Sequence, residues 1–183
     1  QDTIREHENA DYFRQMGMDV IEANASFVDR HLIEAGGKKL SARLIVIATG
    51  SRARIPEIEG LDEAGYATNE QIFTLSEFPR RLAVIGGGPI GCEMAWAHCQ
   101  LGAQVTVFQL SDHILPKDDP DMSEHVRAAM EADGVTFHFG AGTKRVERSE
   151  SGKRIIFETG GEEHTLEADE ILVSTGRRPN IES

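Results

Sequence analysis

Gly86-x-Gly88-x-x-Gly91-x-x-x-Ala95 is the stretch of this 183-residue sequence whose residue types and spacing point most directly to a ligand. It follows an apolar run at 82–85 and opens a segment of helical spacing at 89–101. In that context such a pattern binds the diphosphate of a dinucleotide. Gly86 permits a tight turn, Gly88 lets the diphosphate approach the backbone, and Gly91 with Ala95 lets the helix lie close to the strands. Free amides at the start of the helix that Pro89 and Ile90 open, at the positive end of its dipole, then hold the phosphates. An acidic residue that binds the adenosine ribose is expected at the end of the next strand, about 20 residues on; the sequence has Gln109 there. Glutamine can hydrogen-bond a ribose but lacks the carboxylate that repels a 2′-phosphate, and residues 110–116 hold no arginine to attract one. The cofactor is therefore NAD or NADP with modest discrimination, NAD slightly favoured. Glu93 is expected in the first helical turn, where the dipole favours a carboxylate whether or not a cofactor touches it. Gly176 ends the last strand at the carboxyl edge of the sheet, where ligands of open α/β sheets bind, although a turn needing positive φ also calls for glycine.

Other chemistry-bearing residues lead less far. Cys92 and Cys99 are seven positions apart on the same helical segment. At about 1.5 Å per residue that is roughly 10 Å, beyond the ~7 Å reach of a disulfide. His98 adjoins Cys99, but neighbouring helix positions point about 100° apart, and no acidic or thiol group is spaced to join them in a metal site. A net charge of −12, with 19 Lys and Arg scattered along the chain, argues against nucleic-acid binding. No apolar run approaches the ~20 residues of a membrane span and no signal segment opens the chain, so a cytoplasmic protein with no membrane partner is expected.

Around the glycine loop the elements follow from periodicity. A helix is expected over 3–16, ending at Gly17. Short strands at 20–22, 26–28, 31–33 and 39–41, with a Gly36-Gly37 hairpin, suggest an antiparallel meander. Residues 44–48 are apolar at every position, as in a parallel strand covered on both faces. Periodicity is lost over 50–80. The 82–85 strand, a helix packing on the sheet through Ile90, Met94, Ala97 and Leu101, and a strand at 104–108 follow. Next come a helix marked by acidic residues at 118–121 and the stripe Met122, Val126, Ala129 and Met130, and a strand at 135–139. A meander over 144–166, turning at Ser151-Gly152 and Gly160-Gly161, leads to a strand at 171–174.

The pattern Leu-x-Ala-x-x-Ile-x-x-x-Thr-Gly-x-Arg occurs twice, from Leu40 to Arg52 and from Leu166 to Arg178, yet one glycine loop serves both copies. Each copy closes the second half of a nucleotide-binding fold, and only the second has its loop-bearing half before it. The expected fold is α/β. A Rossmann-like dinucleotide-binding domain, a parallel sheet with an antiparallel meander crossover, spans 81–180. A partial second domain of the same type spans 1–60, with a connection to about 80. The start at Gln1 agrees with a piece of a longer protein, and the strand at 44–48 would need neighbours from elsewhere.

In order and spacing, Ala48-Thr49-Gly50-Ser51, Gly86-Gly87-Gly88-Pro89-Ile90-Gly91-Cys92-Glu93 and Thr175-Gly176-Arg177-Arg178-Pro179-Asn180 resemble the flavin-dependent pyridine nucleotide-disulphide oxidoreductases. The group includes lipoamide dehydrogenase, glutathione reductase and mercuric reductase. The resemblance covers nearly the whole chain but only the middle of a family member, from inside the FAD domain through the NAD(P) domain. It implies that the parent passes electrons from NAD(P)H through FAD to a disulphide, dihydrolipoamide-type or mercuric substrate. It carries Gly86, Gly88, Pro89, Ile90, Gly91, Glu93, Gln109 and Gly176 to NAD(P), and Ala25, Thr49 and Gly50 to FAD. Pro89 departs from the bulky gating residue of many relatives, and Gln109 from the residue that usually announces coenzyme choice. The FAD glycine loop, the Cys-x4-Cys pair and the carboxyl-terminal domain through which such proteins form homodimers have no counterpart here. No catalytic or metal-binding residue is therefore expected within the chain, and alone it should be catalytically silent. A stand-alone NAD(H)-sensing module without redox chemistry is the alternative.

Overall fold

Two compact units, Gln1–Ala48 and Thr49–Ser183, make up the computed structural model, which describes residues 9–181. In the first unit the side chain of Asn9 caps helix α1 (Ala10–Gln15) by accepting the Tyr12 amide at 2.8 Å. The helix stops before Gly17, at φ 85, and the rest of the helix expected over 3–16 lies outside the described residues. Strands β1 (Ala25–Asp29), β2 (Leu32–Ala35) and β3 (Lys38–Ser41) form an antiparallel sheet in that order. Gly36 and Gly37 turn the second hairpin with φ of 56 and 75, as expected. Two expected strands are absent. At 20–22 the Ala23 amide donates to the Ile21 carbonyl, a tight local turn that replaces a ladder. Residues 44–48 form no strand, and Leu44, Val46 and Ile47 are 76%, 86% and 66% exposed. An extended segment with no neighbouring edge has nothing to hydrogen-bond. Ala35 is the one buried hydrophobic among the unit's described residues.

The second unit opens with β4 (Ser51–Ala53), a short helix α2 (Leu61–Ala64) and a 3₁₀ turn at Ile72–Thr74. The sequence shows none of these, yet the helix and the 3₁₀ turn carry Leu61, Ala64 and Ile72 into the core, and Ala67 between them bridges to Leu172. The sheet follows as β5 (Arg81–Ile85), helix α3 (Pro89–Gln100), β6 (Gln104–Gln109), helix α4 (Pro120–Ala132) and β7 (Thr136–Phe139). An antiparallel meander, β8 (Gly142–Ser149), β9 (Gly152–Thr159) and β10 (Glu162–Ala168), crosses over to β11 (Glu170–Val173). The sheet order is β11-β5-β6-β7, with every pair parallel. Finally β12 (Arg177–Pro179) pairs with β4.

Successive strand residues point to opposite faces, and both faces of this sheet are covered. Leu82, Val84, Val107 and Leu172 join one core with Cys92 and Ala95 of α3 and Met130 of α4. Ala83, Ile85, Ile171 and Val173 join the other with Val146, Ile155 and Phe157 of the meander. Hence these strands are apolar at nearly every position. Asp169, at the β10–β11 corner, accepts from the amides of Arg80 and Arg81 at 2.9 Å and pairs with the Arg81 guanidinium, fixing where β5 starts.

Helix α3 meets the sheet through a different face from the expected one. Gly91, Cys92, Ala95 and His98 are buried, whereas Ala97 is exposed and Leu101 is 71% exposed. A helix that approaches its strands closely must turn small residues inward, which leaves the larger apolar ones on its flank. Likewise α4 buries Met130 and Ser123, while Met122 and Ala129 are exposed.

His138 of β7 packs against both Phe108 and Phe157, with ring centroids 5.5 and 4.8 Å away, and the His164 ring lies tilted against the same Phe157. Burial lowers the His138 pKa below its ordinary value, and His164 nearby lowers it further. The folded state thus favours neutral imidazole. The resulting stability is present above the unfolded pKa of 6.5 and is lost as pH falls through the lower folded value. The denaturation midpoint should therefore drop between about pH 7 and about pH 5, and His138→Phe should flatten the drop. Equal pH dependence in the two proteins would contradict the assignment.

Candidate functional site

The glycine loop joins the carboxyl end of β5 to α3. Gly86, at φ 109, donates its amide to the Phe108 carbonyl at 2.9 Å, and a Cβ there would lie 2.6 Å from the Ser174 carbonyl oxygen. A Cβ on Gly91 would lie 1.9 Å from the Gly86 carbonyl oxygen and 2.7 Å from the Ser174 hydroxyl. Helix, turn and β11 therefore touch through backbone. The Ser174 hydroxyl donates to the carbonyls of Gly86 and Ile85 at 2.8 and 3.1 Å.

Gly88 differs. Its backbone is ordinary extended chain, φ −78 and ψ −178, and a Cβ there would meet nothing within 4 Å. Nothing in the protein requires glycine at this position, whereas a ligand lying against the backbone would. No side chain caps α3, and Pro89 sits in its first turn. The amides of Gly88, Ile90 and Gly91 therefore open the helix without an intrahelical acceptor, at its positive end. Amides so placed at the positive end of a helix suit an anionic group such as a diphosphate.

Beside the loop, Gln109 faces inward, at 8% exposure. Its Oε1 accepts the Gly87 amide at 2.8 Å, and its Nε2 donates to the Ser111 hydroxyl at 2.5 Å and the His113 carbonyl at 3.3 Å. The Leu115 amide in turn donates to the Gly87 carbonyl at 2.8 Å. Glu93 is the fifth residue of α3 and exposed, so it lies past the first turn in which it was expected. Ile90 is half-buried, and Gly176 is exposed at φ 133 with open space where a Cβ would stand.

Each cysteine thiol lies against a backbone carbonyl. Burial, with Glu93 adding to it, pushes the Cys92 thiol up to about 11, and its Sγ donates to the Gly87 carbonyl at 3.4 Å. The Cys99 Sγ donates to the Asp133 carbonyl at 3.2 Å. His98 stacks on Phe78 and bonds the Met94 carbonyl. Among the described residues no group of three or more His, Cys, Asp or Glu could hold a metal ion, and no helix is long and apolar enough to cross a membrane.

The ends of the two sequence repeats meet in the β4–β12 ribbon. The Thr49 hydroxyl donates to the Asn180 carbonyl at 2.6 Å, and the Thr175 hydroxyl donates to the Arg54 carbonyl at 2.8 Å. The Asn180 amide donates to the Gly50 carbonyl at 3.0 Å, and the Arg54 amide to the Gly176 carbonyl at 2.9 Å. Thr49 and Thr175, Gly50 and Gly176, and Arg54 and Asn180 hold equivalent places in the two copies, so the ribbon has local two-fold pseudosymmetry. Ala25 opens β1 in the first unit, exposed.

Comparison with known proteins agrees with this geometry. The sequence pattern of the family described as pyridine nucleotide-disulphide oxidoreductase matches residues 3–183. Mercuric reductase of Lysinibacillus sphaericus is 37% identical over 180 residues, covering 98% of this chain and 33% of that protein. A dihydrolipoyl dehydrogenase of Bacillus subtilis (strain 168) is 33% identical over 167 residues, covering 89% of this chain and 36% of that protein. The HOCl-induced flavoprotein disulfide reductase RclA from Escherichia coli, in its Cu(II) complex, superposes with a TM-score of 0.81 at 24% identity. It covers 100% of this chain and 41% of its own. The chain thus spans about a third of the length of the first two relatives. With the expected α/β fold in place and the family pattern matched over 3–183, the chain belongs to the pyridine nucleotide-disulphide oxidoreductases, a family that binds FAD and NAD(P).

Proposed function

We propose that residues 81–180 are the NAD(P)-binding domain of an FAD-dependent oxidoreductase. Residues 1–60 are then part of its FAD-binding domain. When bound, the nicotinamide supplies a hydride and the flavin relays its electrons to a disulphide, dihydrolipoamide-type or mercuric acceptor. The chain's own residues bind and orient. Gly88, Ile90 and Gly91 grip the diphosphate, Gly86 sets the turn, Pro89 starts the helix, Glu93 and Gly176 flank the bound dinucleotide, and Ala25, Thr49 and Gly50 contact FAD. The parent is a cytoplasmic homodimer, with no nucleic-acid or membrane partner.

The observation that carries this reading is the contrast within the glycine loop, where Gly91 is required by the fold and Gly88 is not. A second contrast supports the FAD assignment. Leu172 and Val173 of the second repeat are buried in the parallel sheet, at 0% and 1% exposure, while their equivalents Val46 and Ile47 are 86% and 66% exposed. One motif in two environments fits a first copy whose sheet belongs to polypeptide outside this chain.

Gly88→Ala should leave thermal stability within about 0.5 kcal/mol of wild type while weakening NADH binding, measured by calorimetry, about tenfold. Gly91→Ala should prevent folding, as seen by circular dichroism. Unaltered NADH binding by Gly88→Ala would defeat the reading. Hydrogen exchange of the monomeric chain should find the amides of 44–48 unprotected and those of β5 slow; strong protection at 44–48 would contradict the FAD-domain assignment.

A further inference from the structure

We infer that Gln109 is a positioning residue of the phosphate loop rather than the ribose ligand its place in the sequence suggests. The inference rests on the dinucleotide reading of the same site. A glutamine amide has two N–H donors and an oxygen with two lone pairs. Here the Nε2 donates to Ser111 Oγ and the His113 carbonyl, and the Oε1 accepts the Gly87 amide. One lone pair is left, so Gln109 can accept from at most one ribose hydroxyl and donate to none.

Gly87 is held through both of its backbone groups, its N–H by Gln109 at the end of β6 and its carbonyl by the Leu115 amide, in the segment that follows, at 2.8 Å. Leu115 takes φ 50, the one positive value outside glycine among the described residues. A bulky residue adopts that conformation at a cost and keeps it where surrounding bonds over-determine it. Its carbonyl accepts from the Asp118 amide at 2.9 Å and the Ser123 hydroxyl at 3.4 Å. Gln109 and Leu115 thus clamp the peptide immediately before Gly88.

The clamp selects glutamine over glutamate. The Ser111 hydroxyl proton is committed to the His113 carbonyl at 2.8 Å, so Nε2 meets two acceptors. A carboxylate at 109 would keep the acceptor for Gly87 but turn lone pairs towards both of these oxygens. Here the two roles predict opposite outcomes. A ribose ligand gains from a carboxylate, which accepts both hydroxyls and repels a 2′-phosphate, whereas a clamp fails with it.

Calorimetry of the 183-residue chain with NADH and NADPH, before and after Gln109→Glu, distinguishes them. The clamp predicts about tenfold weaker binding of both coenzymes, with their affinity ratio unchanged. Tighter NADH binding with weaker NADPH binding would overturn it. A second measurement needs no ligand. In Gln109→Ala the Gly87 amide should lose its exchange protection while the Val107 amide, in the β6 ladder, keeps its own. Equal Gly87 protection in the two proteins would also overturn the clamp. Wild-type chain that bound neither coenzyme would defeat the dinucleotide reading, and the Gly87 amide would still decide the clamp.

Discussion

The contact of Gly91 with the Gly86 carbonyl oxygen, with no room for a methyl group between them, is the constraint on which the second unit depends. It draws α3 down until Cys92, Ala95 and His98 can fill the interface. It also sets the helix start at the carboxyl end of β5, beside Ser174. Any larger residue at Gly91 would lift the helix, uncover the Leu82 and Val84 side of the sheet and turn the amides of Ile90 and Gly91 away from the crevice. Core and ligand cradle are therefore one packing decision. Gly88 alone in this loop is free of it, and so carries information about something outside the polypeptide.

Around that contact the chain builds a rigid frame in two directions. On one side, Gln109 and Leu115 tie the backbone of Gly87 to the end of β6 and the segment after it. On the other, the Ser174 hydroxyl bonds the carbonyls of Ile85 and Gly86, and two residues later Gly176 leads into the β4–β12 ribbon. That ribbon joins the ends of the two sequence repeats through reciprocal threonine and amide bonds. Gly176 is thus held by Arg54 and Gly50 by Asn180, so Thr49, Gly50 and Gly176 share one hydrogen-bonded element.

Much of this was legible in the sequence because it depends on local rules. The parallel strands are apolar runs, the meander turns beside Gly152 and at Gly160-Gly161, and both long helices stop near glycine. The misses share a cause, which is that the deciding partner is distant. The buried face of α3 differs from the expected one because the closeness imposed by Gly91 outweighs the size of Ile90 and Leu101. Strands β4 and β12 are polar and three residues long, and only their pairing across the chain defines them. Residues 44–48 have the composition of a buried strand but no sheet in which to lie. Gln109 stood at the expected position, yet its hydrogen bonds to Gly87 and His113 follow from loop geometry that no spacing rule conveys.

If the amides opening α3 grip the diphosphate of a dinucleotide, their chemical environment must change when one binds. The most direct measurement is an amide chemical-shift map of the 183-residue chain during titration with NADH. A gripped diphosphate gives saturable shifts centred on Gly88, Ile90 and Gly91, with smaller ones at Gly176. Saturable shifts confined to other parts of the chain, or none at all, would contradict it.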